Sequence, residues 1–106
     1  MIAESLREAA ARHPYIAADE SHCGGAPRIT GTRIRVIDIA TEHDQMGLRV
    51  DQIIEAHPHL NPAQVYDALS YYYENKAELD ADMERREREA EELRREIERT
   101  QTPLGG

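Results

Sequence analysis

The sequence predicts an all-α fold: a small helical unit built around a helix-turn-helix, with a short N-terminal extended region and one long charged C-terminal helix. Three observations predict it. Apolar residues are dense from Ile29 to Tyr73 and sparse from Asn75 onward. Within the dense stretch they recur at three- and four-residue spacing, the period of an amphipathic helix. From Asn75 to Thr100 there is neither glycine nor proline, and nearly every residue is Glu, Arg, Lys, Ala, Leu or Met, all good helix formers.

The opening IAESLREAAARH places Ile2, Leu6, Ala9 and Ala10 at helical spacing, and His13-Pro14 ends the pattern because proline lacks the N–H that a helix needs. Gly24, Gly25, Pro27 and Gly31 then punctuate two β-prone runs, Tyr15 to Ala17 and Arg28 to Thr30. These read as short extended segments or a minimal hairpin, whose unpaired edges invite the same strands of a second copy. Ile34, Val36, Ile37, Ile39 and Ala40 begin a helix that runs through Glu42 and His43 to Gly47, its first residues ambiguous between strand and helix because they are β-branched. Val50, Ile53, Ile54 and His57 give two turns of a second helix, which Pro58 stops. Asn61, Pro62 and Gln64 then supply a cap, a first-turn proline and a capping-box partner. The helix they start carries Val65, Leu69, Tyr72 and Tyr73 on one face. Two helices of this size, joined by Pro58 to Asn61 behind a third, make the helix-turn-helix pattern.

A chain of 106 residues has room for one core, so the division expected is a domain over residues 1–75 and a charged helix with a flexible end over 76–106. The net charge is −8, with 3 basic and 4 acidic residues in positions 1–30, 3 and 7 in 31–75, and 7 and 10 in 76–106. No segment is basic overall, which argues against strong non-specific binding to nucleic acid and leaves room only for a local patch. Cys23 is the single cysteine, so no intrachain disulfide forms; it reads as an ordinary loop thiol, since its neighbour His22 points the other way in an extended loop. With no run near the roughly twenty apolar residues that cross a bilayer and no signal pattern, a cytoplasmic location is expected, with no membrane partner.

Chemistry of the catalytic kind is missing from the pattern. His13, His22, His43, His57 and His59 give no compact metal triad, and His57 and His59, two residues apart around Pro58, do not share a helix face. Gly24, Gly25 and Gly31 are followed by no GK[ST] and form no phosphate loop. Asp38 and Glu42 stack on one helix as an ordinary polar face. Neither an enzyme nor a cofactor is expected. Tyr66, Tyr71, Tyr72 and Tyr73 fall within eight residues, and rings with a polar end suit a core rim or an interface. In the tail, Leu79, Met83, Ala90, Leu93 and Ile97 follow a heptad track that Arg86 interrupts. That track is the candidate partner-binding element, lying in a groove of another protein or against its twin. The alternative is a solvated helix laced with Glu–Arg pairs.

The run GGAPRITGTRIRVIDIATEHDQMGLRVDQIIEAHPHLNPAQVYDALSYYYEN resembles the domain of unknown function 433 family over about half the chain. Its pattern is a glycine, a residue and a proline, then GTRI, a hydrophobic helix, a glycine turn, a second helix, a proline and a final helix ending in tyrosines. Gly25, Pro27, Ile29, Gly31, Thr32, Arg33, Ile34, Val36, Gly47, Ile53, Pro58, Val65, Ala68 and Tyr72 take those positions. Arg35 and Arg49 depart from it, standing where proline and a small polar residue are usual.

The resemblance implies a homeodomain-like or winged helix-turn-helix. Through members similar to VapB-like antitoxins encoded beside PIN-domain ribonuclease toxins, it also implies an antitoxin-like homodimer that binds such a toxin and its operator DNA. The helix from Pro62 to Tyr73 would then enter the major groove with Gln64, Asp67, Ser70 and Tyr71 exposed. Arg28, Arg33 and Arg35 would anchor the DNA backbone, Arg33 being equally readable as a structural residue tied to an acid such as Asp38. The other reading is a dimeric protein-interaction or structural domain without DNA binding.

Overall fold

The computed structural model describes residues 4–19 and 23–101; Ile2, His22 and the expected flexible end lie outside them. The chain is mostly helical. In order it forms α1 (Glu4–Ala10), β1 (Ile16–Ala17), a 3-10 turn at Cys23–Gly25, β2 (Arg28–Ile29), α2 (Val36–Ala40), α3 (Val50–Ala56), α4 (Pro62–Glu74) and α5 (Lys76–Gln101). The minimal hairpin is present: β1 and β2 pair antiparallel, with Ile16 opposite Ile29.

The GTRI segment is a folding device. Gly31 adopts φ 81°, a conformation that a side chain disfavours, and turns the chain back on β2. Thr32 locks the turn, its hydroxyl donating to the Ile29 carbonyl at 2.8 Å and accepting the Ile34 N–H at 3.0 Å. Ile29 N–H then donates to the Ile34 carbonyl at 2.9 Å, and Arg28 bridges to Arg35. Ile34 and Arg35 are therefore still extended, and α2 begins two residues later than the apolar spacing suggests. Asp38 closes its first turn by accepting the Arg35 N–H at 3.0 Å. Past Ala40 the helix widens into one π turn over Thr41–Gln45, and Gly47, at φ 71°, ends it.

Arg49 has no side-chain acceptor for capping α3, and Gln52 compensates by taking the Arg49 N–H on its Oε1 at 2.8 Å. The start of α4 is as read from the sequence: Asn61 Oδ1 accepts from Gln64 N–H at 2.9 Å and Gln64 Oε1 accepts from Asn61 N–H at 2.8 Å. Helix α4 lies against both α2 and α3. The core around it contains Leu6, Ile29, Val36, Ile39, Ile53, Val65 and Tyr71, all fully buried.

The turn after α1 is fastened to α4 by a part-buried ion cluster. His13 places Nδ1 2.7 Å from Asp67 Oδ1 and Nε2 2.7 Å from Glu74 Oε1, with its ring edge-on to Tyr71. Asp67 also accepts the Tyr15 N–H at 2.9 Å. Both ring nitrogens face carboxylates, so both bonds are made only by the doubly protonated imidazolium. Burial lowers the His13 pKa, but the hydrogen bonds and charges of Asp67 and Glu74 outweigh it and the net shift is upward from 6.5. A folded pKa above the unfolded one stabilises in full below the unfolded value and loses that contribution as pH rises through the folded value. The melting temperature should therefore fall as pH is raised from 6.5, and His13→Phe should be less stable but lack this slope. A wild-type profile that is flat or rises through that range would show that His13 is neutral in the folded state.

Helix α5 is continuous for 26 residues, about 39 Å at 1.5 Å per residue, and the molecule measures 56 × 31 × 24 Å. Its first three turns belong to the domain. Leu79 is buried in the core, Tyr72 Oη donates to Asp80 at 2.9 Å, and Ser5 donates to Glu78. Asp82 accepts from Arg86 Nε at 2.6 Å, and the same guanidinium donates through Nη1 to the Gly24 carbonyl at 2.8 Å. From Glu87 to Gln101 every residue is exposed.

Candidate functional site

Two surfaces carry the residues singled out in the sequence, the outer face of α4 with the arginines before α2, and α5. On the first, the structure corrects two expectations. Tyr71 is not exposed: it is fully buried, its hydroxyl donating to the Leu6 carbonyl at 2.7 Å, because the sharp turn at Asn75 and the packing of α1 close over that side of α4. Arg28 is also buried, at 7% exposure, with Nη2 on Asp19 at 3.1 Å, so its guanidinium is spent inside the protein rather than offered to a phosphate. The strand register decides this, since Arg28 pairs through its backbone with Ala17.

Asp67 likewise points inward to His13 and Tyr15 rather than outward, which removes one negative charge from the α4 face. Arg35 is half-buried and grips Asp38 with Nε at 3.2 Å and Nη2 at 2.8 Å. Asp38 is thus held by Arg35, while Arg33 is exposed on the turn and has a partner of its own. Ser70 is exposed, and Gln64 is half-exposed with Oε1 committed to the cap. Tyr66, at 60% exposure, and Tyr73, at 50%, join Ser70 on this face. Tyr73 thus leaves the face it is expected to share with Val65, Leu69 and Tyr72, which are buried; its spacing of seven from Tyr66 and three from Ser70 puts it with them instead.

On α5 the heptad track is divided. Leu79 is buried and Met83 half-buried against the domain, which corrects the reading of Leu79 as free for a partner. Arg86, the interruption in the track, is where the helix leaves the domain, held by Asp82 and Gly24. Beyond it Ala90, Leu93 and Ile97 are exposed, Leu93 at 59% and Ile97 at 42%, on a segment with no core of its own. Arg94–Glu91, Arg95–Glu91 and Arg99–Glu96 ion pairs lace it. These are solvent-exposed pairs, each contributing little.

Among the described residues no group of three His, Cys, Asp or Glu is arranged to hold a metal ion, and no helix is long and apolar enough to cross a membrane. No curated protein and no solved structure matches the chain. A family profile described as "Protein of unknown function (DUF433)" matches residues 16–72. That span opens at β1 and closes inside α4, taking in the hairpin, the GTRI turn, α2 and α3 and leaving α5 outside, and over it the chain belongs to the DUF433 family.

Proposed function

We propose that the protein is antitoxin-like: a homodimeric, homeodomain-like helix-turn-helix domain that binds a PIN-type ribonuclease toxin through the distal half of α5 and contacts its own operator DNA. The observation that carries the reading is the exposure of Leu93 and Ile97 on a helix that overhangs its domain by four turns. A helix so polar on its remaining faces gains little stability alone and draws it from whatever covers its apolar edge. In this reading α3 and α4 are the two helices of the motif, and α4 offers Gln64, Tyr66 and Ser70 to DNA, with Arg33 as backbone anchor beside Arg35.

One observation favours the second reading, a dimeric interaction domain without DNA binding: α4 contains no lysine or arginine. Phosphate contacts dominate DNA affinity, so a groove-facing helix without cations depends on its flanks.

Co-expression with a PIN-type protein encoded beside this chain tests the toxin half. Leu93→Ser with Ile97→Ser is expected to abolish co-purification and leave the melting temperature unchanged; a double variant that still co-purifies overturns the reading. Binding to the shared promoter, titrated at several salt concentrations, tests the DNA half. A shallow salt slope that Arg33→Ala weakens supports operator contact, and no binding even at low salt leaves the interaction domain.

A further inference from the structure

A groove of about 810 Å³ runs between α2 with its π turn and the near half of α5. Its apolar floor includes Ile34, Ile37 and Met83. Three cations line it too: Arg35 is held by Asp38 and Lys76 by Asp80 at 2.9 Å, and Arg33 stands at its exposed edge, against the five carboxylates of Asp38, Glu42, Asp80, Glu84 and Glu87. Three acids are left with acceptor oxygens to spare. Glu42 takes His57 Nε2 at 2.8 Å on Oε2, while its Oε1 is shielded from solvent with no donor. Glu84 and Glu87 project over the groove from α5 and enter none of the ion pairs that lace the rest of the helix. Ala90 and Ile97, at spacings of seven from Met83, continue the groove's α5 wall onto the overhang.

We infer that this groove is a protein-docking surface whose occupant is an amphipathic helix with a basic edge, supplied by the protein partner. The inference rests on α5 being the partner-binding element and extends that surface onto α2. The occupant's apolar face lies on Ile37 and Met83, and its Lys or Arg side chains meet Glu84 and Glu87. Glu84 and Glu87 are exposed, so a guanidinium or ammonium can make a charge-assisted bond to each. A second copy's α5 overhang does not fit: residues 87–101 hold 6 acidic and 4 basic side chains, the wrong sign for an acidic rim.

The test uses the full chain and two synthetic helical peptides of equal length with the same leucine face, one edged with lysine and one with glutamate. Titration calorimetry at low salt should find binding of the lysine peptide and none of the glutamate peptide. Glu84→Gln with Glu87→Gln should weaken the lysine peptide roughly tenfold, the loss expected for two accessible ion pairs. Glu92→Gln with Glu98→Gln, which changes net charge equally but lies off the groove, should leave affinity unchanged. Equal weakening by both double variants, or equal binding of both peptides, overturns the inference by reducing it to non-specific charge attraction. If Glu84→Gln with Glu87→Gln still co-purifies fully with the PIN-type protein while Leu93→Ser with Ile97→Ser does not, the groove fails and the overhang reading survives.

Discussion

A chain cut after Lys76 is expected to lose about 3–5 kcal/mol of stability, from the burial of Leu79 and the bonds that α5 makes to the domain. The cut removes Leu79 from the core and uncovers its neighbours there. It also deletes Asp80, the acceptor for the Tyr72 hydroxyl, and Arg86, the donor to the Gly24 carbonyl. Gly24 sits at φ 62° in a turn whose nearest neighbour is that guanidinium, so the segment before β2 loses its outer support. Against a total of about 5–15 kcal/mol for a domain of this kind, the loss should lower the melting temperature by about 12 °C or more, at about 4–8 °C per kcal/mol. A cut after Ala90 keeps every one of these contacts and discards Leu93 and Ile97. It should melt within about 4 °C of the full chain, since exposed positions away from such features contribute within ±0.5 kcal/mol. Thermal melts of the two truncations decide it. If the shorter chain melts like the full one, the first three turns of α5 are not part of the domain.

The division of α5 marks where sequence reading runs out. Periodicity found Leu79, Met83, Ala90, Leu93 and Ile97 as one track, because spacing reports which residues share a face and says nothing of what that face meets. Arg86 was visible as an interruption but not as an anchor, since its partner, the Gly24 carbonyl, lies 62 residues away in sequence. Local signals fared better. The Asn61, Pro62 and Gln64 start of α4 and the glycine turn at Gly31 depend on chemistry within a few residues, and both form as the sequence dictates. The β-branched run from Ile34, ambiguous between strand and helix by spacing alone, is extended at Ile34 and Arg35 and helical from Val36, with the boundary set by the Arg28–Arg35 bridge. The arginines before α2 needed the strand register, which two-residue strands do not reveal: Arg28 faces in, Arg33 out, and Arg35 onto Asp38. His13 was read only as the end of α1, and its carboxylate partners come from a helix that begins 49 residues later.

Tyr71 shows the same limit most sharply, and its substitution is expected to have the other large effect. Four tyrosines in eight residues suit a core rim or an interface, and the DNA-binding reading places Tyr71 on the exposed side, yet among the described residues Tyr71 is the largest fully buried side chain, packed edge-on against His13 with its hydroxyl on the Leu6 carbonyl. Burial, with the nearby charges of Glu78 and Asp82, pushes its pKa well above the ordinary tyrosine value. The hydroxyl therefore stays protonated and remains a donor through the range in which the other groups titrate. Tyr71→Ala should cost about 3–5 kcal/mol, as for other large aromatic truncations in a core, and it should unfasten α1 because it empties the space between Leu6 and His13. Tyr71→Phe keeps the ring and loses only the bond to Leu6, about 1 kcal/mol. Urea denaturation of the two variants separates ring from hydroxyl. The phenylalanine variant also separates a core role from a DNA-reading one. Promoter affinity equal to wild type, with a small fall in stability, is the outcome for a buried tyrosine; weakened promoter binding at unchanged stability would return Tyr71 to the exposed face.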